Sequence, residues 1–433
     1  MANALNIILV AILILAAIYA GVKKPNWRYV VIPIVGLLAR VLFLPHPGFV
    51  TDIGCFKAWA DELFRYGLPA YYISDSFGDY PPGYLYILYV IGFIRNVFSI
   101  GFHSLTYLVI IKLPAVFFDI AIAVFIYVYG KRFMRPQHSY LLSLLFVLNP
   151  AIILISAVWG QVDSVFVFFV LLSLAMLSDK KLLGASLLFA LSALIKPQAL
   201  IFAPVFGWVF IRYIWGDGFK RAHLGKVATC IFAGMLLVVL LTIPFTYRLN
   251  FMPIINQYID TLGSYSFAAV NAYNFYTFFG YNWTPLAPGN FMWGVVSFSL
   301  LGAVGILGAV LLSGKDYFRK PNPDLFLNAF IIIFTVFMFS VRMHERYLFP
   351  ALPLMLFAFI RTRQKWLLFF YGALSITYFI NCLTVMRLYF THNADLSVIS
   401  TVSVVISAVN LALYVLFIVF FYTQDGKDEI ANE

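Results

Sequence analysis

The 433-residue chain is 63% hydrophobic and 19% aromatic but only 11% charged, and its mean hydropathy of +0.93 exceeds what a water-soluble core of this size requires. Its 29 basic against 18 acidic groups do not call for nucleic acid, because in so apolar a chain an excess of Lys and Arg marks cytoplasmic loops. Three cysteines, with Cys230 and Cys382 inside apolar runs, provide neither a disulfide framework nor paired metal-ligand spacing, so no redox chemistry, metal or cofactor is expected.

Apolar runs of about 17 to 24 residues, each able to cross about 30 Å of hydrocarbon as a helix, recur along the whole length. Lipid leaves backbone groups no partners, and the period-two alternation of a barrel is absent. The expected fold is therefore an all-α polytopic membrane protein, residues 1–433 forming one integral membrane domain. Crossings are expected near residues 3–21, 29–45, 108–129, 139–157, 162–178, 183–196, 199–215, 226–246, 291–313, 325–341, 348–361, 366–388 and 398–422, about thirteen in all. The first run lacks a basic lead-in and an A-x-A cleavage site, which reads as a retained helix rather than a signal peptide.

The run from Gly83 to Ser99 decides the sidedness. If it lies along the surface, the basic clusters around Lys23, Lys131, Lys180, Lys220, Lys315 and Arg361 share one side, about 19 basic residues against about eight; if it crosses, the bias reverses. The positive-inside rule selects a juxtamembrane helix, with the amino terminus outside and the carboxyl terminus in the cytoplasm. Residues 46–107 become a first external loop with amphipathic helices and residues 247–290 a second large external loop. Residues 423–433 become a cytoplasmic tail, disordered from Gln424 onward.

The unusual polar residues then gather on the external face. "TDIGCFKAWADELFRYG", residues 51–67, places Phe56, Trp59, Ala60 and Leu63 at helical spacing with Lys57, Asp61 and Arg65 on another face, an interfacial amphipathic helix. Asp52 at its start accounts equally for a helix N-cap or for a carboxylate that works, though Ser, Thr or Asn would cap as well. "GDYPPGYLY" follows, with Tyr80 before two prolines that open the surface helix. In "WGQVDS" a tight turn carries Trp159, Gln161 and Asp163; in "KPQ" Lys196 ends a helix and suits either snorkelling or an anion. The second external loop is crowded with aromatic rings and amides, among them Tyr273 and Asn274, which suit sugar rings and hydroxyls as well as a membrane-interface belt. Asp75 and Asp79 form a weak pair for a cation. Finally "RMHERYLFP" places Arg342, His344, Glu345 and Arg346 between two spans, against the charge bias. Two guanidinium groups and an imidazole are what a phosphate at a membrane surface requires.

In their order along the chain, "TDIGCFKAWADELFRYG", "YPPGYL", "KLPAVFFD" (residues 112–119), "WGQVDS", "KPQ" and "RMHERYLFP" resemble the GT-C superfamily of integral membrane glycosyltransferases. The resemblance is greatest to bacterial proteins related to the GPI-anchor mannosyltransferases and more distant to the lipid-linked glucosyltransferases of N-glycan assembly. It implies transfer of one sugar, mannose or another hexose, from a polyprenyl-phosphate donor to a glycan or glycolipid acceptor outside the cytoplasm, with inversion, in the plasma membrane of a bacterium. Asp52 matches the superfamily's essential acidic residue of the first external loop, although an extra amino-terminal span precedes it and the Asp is not doubled. On that reading Asp52 is the catalytic base, while Arg342, His344, Arg346 and Lys196 hold the donor phosphate. Trp159, Gln161, Asp163, Tyr80, Glu345, Tyr273 and Asn274 contact substrate. A flippase or transporter of lipid-linked sugar would share a basic phosphate site but should show repeats or interrupted helices at mid-membrane, and a glycopolymer polymerase or ligase would use the same donors.

Overall fold

The computed structural model describes residues 4–74, 78–216, 218–263, 265–391, 397 and 400–430. Its chain divides into two compact units, Met1–Ser264 and Tyr265–Glu433.

The first unit is built from helices α1 (Ala4–Lys23), α2 (Arg28–Val41), α3 (Val50–Tyr66), α4 (Pro82–Val97), α5 (Leu105–Gly130), α6 (Pro136–Val147), the short α7 (Pro150–Ile153), α8 (Asp163–Ser178), α9 (Leu182–Ile195), α10 (Ala203–Trp215), α11 (Arg221–Thr242) and α12 (Met252–Gly263). The second holds the one-turn α13 (Phe275–Phe278), then α14 (Phe298–Arg319), α15 (Leu325–Phe339), α16 (Ala351–Thr362), α17 (Trp366–Thr391) and α18 (Thr401–Ile430). Two-residue strands complete it: β1 (Ala269–Val270) and β4 (Met343–His344) pair in parallel, β2 (Phe291–Met292) and β3 (Val296–Ser297) antiparallel.

The expected crossings fall largely on helices among the described residues. Among the described residues seven helices have the length and apolarity to span a membrane, and Pro136–Val147 with Pro150–Trp159, bent by 45°, makes an eighth if the pair is one span. Asp163–Ser178, Leu182–Ile195 and Leu325–Phe339 are apolar but shorter. The expected 291–313 run begins later, at Phe298, because Phe291–Ser297 is spent on the β2–β3 hairpin. The last helix continues to Ile430, so the backbone after Gln424 is helical where the sequence suggested no order; residues 431–433 lie outside the described residues.

A helix that is apolar all round lies either in the protein core or against lipid. Here α15 is the buried centre of the second unit and α8 that of the first. One charge pair inside the first unit is fully buried: Arg40 Nη2 lies 2.9 Å from Asp119 Oδ2, and Nη1 donates to the carbonyls of Gly36 and Val147. This set ties α2, α5 and α6 together, and removing one partner from a buried pair costs about 3–5 kcal/mol. Helix α4, the juxtamembrane candidate, packs on α3 so closely that a Cβ at Gly92 would sit 2.1 Å from the Ala60 carbonyl oxygen. Asp61 of α3 pairs with Arg95 of α4 at 2.8 Å, across elements rather than with its own helical neighbours.

Candidate active site

In the first unit three sequence-selected residues meet. Asp52 stands in the first turn of α3, but the N-cap is Phe49 and no side chain caps the helix. The N-cap reading of Asp52 is therefore not realised. Its Oδ2 accepts two hydrogen bonds instead, from Trp159 Nε1 at 2.9 Å and from Gln161 Nε2 at 2.6 Å. Among the described residues, no hydrogen bond reaches Oδ1.

The local backbone explains how the two donors arrive. The bent span ends in a π-helical segment, Leu154–Trp159, closed by Gly160 in the left-handed region at φ 91°. The amides of both Gly160 and Gln161 return to the carbonyl of Ile155, which turns Trp159 and Gln161 towards α3. The segment before α3 runs against this turn: the Phe49 amide donates to the Trp159 carbonyl at 3.1 Å, and the Phe49 ring stacks on Trp159 with centroids 4.8 Å apart. Gly48, at φ 77°, permits the approach, since a Cβ there would lie 2.6 Å from the Trp159 carbonyl oxygen. Trp159 is fully buried, which a residue of an interfacial aromatic belt would not be.

Tyr80 extends the network, its hydroxyl 3.3 Å from Gln161 Oε1, with its ring packed edge-on against Phe56. Beside it lies a small, half-open recess lined by Tyr72, Asp79, Tyr80, Pro81, Pro197, Gln257 and Tyr258. It gathers residues of the "YPP" and "KPQ" motifs with the start of the second loop; Asp75, the suggested cation partner of Asp79, lies outside the described residues. Asp163 and Lys196 form a separate buried ion pair, Nζ to Oδ1 at 2.5 Å. Pro197 keeps Lys196 extended, at φ −151°, and this ends α9 where the ammonium meets the start of α8. Asp163 Oδ2 is buried with no hydrogen-bond partner among the described residues.

In the second unit the basic cluster sits on and after β4. Val270 faces His344 across the two-strand ladder, and Arg342, just before it, adopts a left-handed φ of 63° with its amide on the Phe267 carbonyl at 3.0 Å. Arg342 Nη2 donates to Ser266 Oγ at 3.3 Å. His344 is buried between the rings of Tyr265 and Tyr347, at 4.6 and 5.0 Å. Buried Glu345 takes Arg346 Nη1 at 2.9 Å, so one of the two guanidinium charges is balanced within the loop.

The amides of the second loop serve its backbone. Asn274 Oδ1 caps α13 through the amides of Tyr276 and Thr277, while its Nδ2 donates to the Phe337 carbonyl at 3.0 Å. Asn381 bridges the Asn271 carbonyl and the Tyr273 amide at 2.8 and 3.0 Å, and Asn410 Nδ2 donates to the Tyr273 carbonyl at 2.7 Å. Tyr273 is buried, which pushes its phenol up to about 12 against the opposing effect of bonds with Thr384 and Ser400. Sequence reasoning missed Asn381 and Asn410; the signal was a single Asn within an otherwise apolar span.

No curated protein matches the chain. The model of the ALG6, ALG8 glycosyltransferase family matches residues 75–262, less than half of the chain. The matched stretch includes Tyr80, Trp159, Gln161, Asp163 and Lys196 and leaves Asp52 and the Arg342–Arg346 cluster outside it. Over residues 75–262 the chain is similar to this glycosyltransferase family, and the match, together with a mostly helical architecture rich in helices long and apolar enough to cross a membrane, supports a membrane glycosyltransferase of the GT-C superfamily.

Proposed function

We propose that the protein moves a single hexose from a polyprenyl-phosphate donor to an acceptor hydroxyl of a glycolipid, lipid-linked glycan or cell-wall glycopolymer, inverting the anomeric carbon. The observation that carries the reading is Asp52, whose Oδ2 is fixed by two donors at 2.9 and 2.6 Å while Oδ1 takes no hydrogen bond from the described residues. A carboxylate held this way presents a defined oxygen to the attacking hydroxyl, and such positioning together with proton acceptance accelerates bond formation. As the acceptor oxygen bonds to the anomeric carbon, its proton passes to Asp52 and the polyprenyl phosphate departs with the electron pair.

That leaving group needs charge stabilisation more than a proton, and Arg342, Arg346 and His344 are assigned to it. Lys196 holds Asp163, and this pair, with Trp159, Gln161 and Tyr80, shapes the ground beside the base; Glu345, Tyr273 and Asn274 do the same for the phosphate loop. The excess of positive charge in the loops opposite Asp52 supports a reaction on the extracytoplasmic face, and the bacterial plasma membrane is the proposed setting.

Asp52→Asn tests the assignment because Asn keeps the shape but cannot take the proton. With radiolabelled polyprenyl-phosphate glucose and polyprenyl-phosphate mannose offered to membranes containing the protein, turnover should fall by about 10² to 10⁴ while donor binding and thermal stability persist. Wild-type transfer by a stable Asp52→Asn protein would remove the role. Product masses showing chains of added sugars would replace single transfer by polymerisation.

A further inference from the structure

Lys112 is fully buried in α5 and has no carboxylate partner among the described residues. Its Nζ is ringed by backbone carbonyls: His46 at 2.6 Å, Ala157 at 2.9 Å, Val158 at 3.2 Å and Leu44 at 3.3 Å. Leu44 and His46 lie in the turns that follow α2, and Ala157 and Val158 close the π-helical segment. The ammonium therefore stands where two helices end. Helix ends leave their last carbonyls unsatisfied and carry partial negative charge, about half an elementary charge each, so one buried cation balances two of them.

What lies just beyond each end gives the contact its meaning. Two to eight residues after the first pair come Gly48, Phe49 and Asp52; directly after the second come Trp159 and Gln161. The two backbones meet at Gly48, where a Cβ would lie 2.6 Å from the Trp159 carbonyl oxygen, and a Cβ on Gly160 would come within 3.4 Å of the Lys112 Cε. We infer that Lys112 is a positioning residue for the transfer reaction: it joins the segment that carries the proposed base to the segment that carries the base's two hydrogen-bond donors. A hydrophobic residue could fill the same space in the membrane but would remove the one donor that the four carbonyls share, and an acid–base pair would satisfy its own charge rather than the two chain ends. The inference rests on Asp52 being the base, and a double-mutant cycle separates the two claims.

The full-length protein would be assayed in detergent with polyprenyl-phosphate glucose and polyprenyl-phosphate mannose as probe donors, comparing wild type, Lys112→Met, Asp52→Asn and the double variant. Lys112→Met should lower kcat by about 10- to 100-fold with donor KM changed less than about threefold, because geometry around the base is lost and donor binding is not. In the Asp52→Asn background the same change should cost nothing further, since residues that act as a unit are not additive. Amide exchange should quicken at residues 44–49 and 157–161. An additive loss of kcat in the double variant, or a loss confined to KM, would overturn the inference. Full turnover by Asp52→Asn alone would instead overturn the base assignment on which it rests. If Lys112→Met is not recovered folded, Lys112→Arg takes its place in the cycle. Arg keeps the charge but spreads its donors over a planar fork, so kcat should fall about three- to tenfold, and a wild-type kcat for Lys112→Arg would reduce Lys112 to a structural role.

Discussion

The polar residues of the two units look alike in the sequence and do different things in the structure. In the first unit, Trp159 and Gln161 turn away from their own backbone and converge on one carboxylate oxygen of Asp52. In the second, Asn274, Asn381 and Asn410 donate their amides to main-chain groups of a loop that lacks a regular ladder, and Arg346 pairs with its neighbour Glu345. A short irregular segment between apolar helices has few backbone partners of its own, and buried unsatisfied amides are expensive. Side-chain amides therefore cost least as internal scaffolding there, whereas a carboxylate that collects two side-chain donors and serves no main-chain group needs a reason beyond folding.

The sharpest way to break this contrast is Asn381→Ala. It orphans a buried carbonyl and a buried amide, at about 1–3 kcal/mol each, so thermal stability should fall while transfer per folded molecule stays near normal. A stable protein with lost transfer would make Asn381 a substrate ligand and dissolve the distinction. Next in size, Arg342→Ala or Arg346→Ala should weaken donor binding by roughly 1.5 to 3 kcal/mol, as expected for a lost charge-assisted hydrogen bond, and kcat should fall as well because the same guanidinium groups hold the leaving phosphate. Unchanged donor affinity in both variants would leave the loop without its assigned ligand. The smallest effect is expected for Gln161→Leu, where Trp159 still holds Asp52: turnover about tenfold slower, equivalent to about 1.4 kcal/mol, with melting temperature preserved. A lowered melting temperature with normal turnover would place Gln161 among the scaffolding residues.

Much of the helical layout was legible because membrane spans declare themselves by length and apolarity, and the expected crossings fall largely on helices, seven or eight of which, among the described residues, are long and apolar enough to span. Boundaries moved where short local pairing intervened, as at the β2–β3 hairpin, whose four strand residues read as the start of a span. The residues around Asp52 were legible as candidates because polar groups in apolar sequence stand out. Their partners were not: nothing in the spacing says that Trp159 and Gln161 reach back 107 and 109 residues to Asp52, or that Lys196 takes Asp163. Lys112 could be seen as a charge inside an apolar run, but its four carbonyls come from two distant helix ends and have no side-chain signature at all. The same holds for Asn274, since an amide reads identically whether it faces a sugar or a carbonyl.

The π-helical ending of the bent span has one more consequence, for which kinds of sequence change the site can absorb. A π segment behaves as an α-helix carrying one residue more than its turn needs, so Leu154–Trp159 is a place where chain length, rather than side-chain identity, sets direction. Deleting a single residue between Ile155 and Val158 would let the helix wind regularly and swing everything after it by about 100° around the axis. The apolar face towards the lipid would survive such a deletion almost unnoticed, and expression or solubility in detergent would not report it. Trp159 and Gln161 would then face elsewhere, and Asp52 would lose both donors in one step, although every residue of the site was still present.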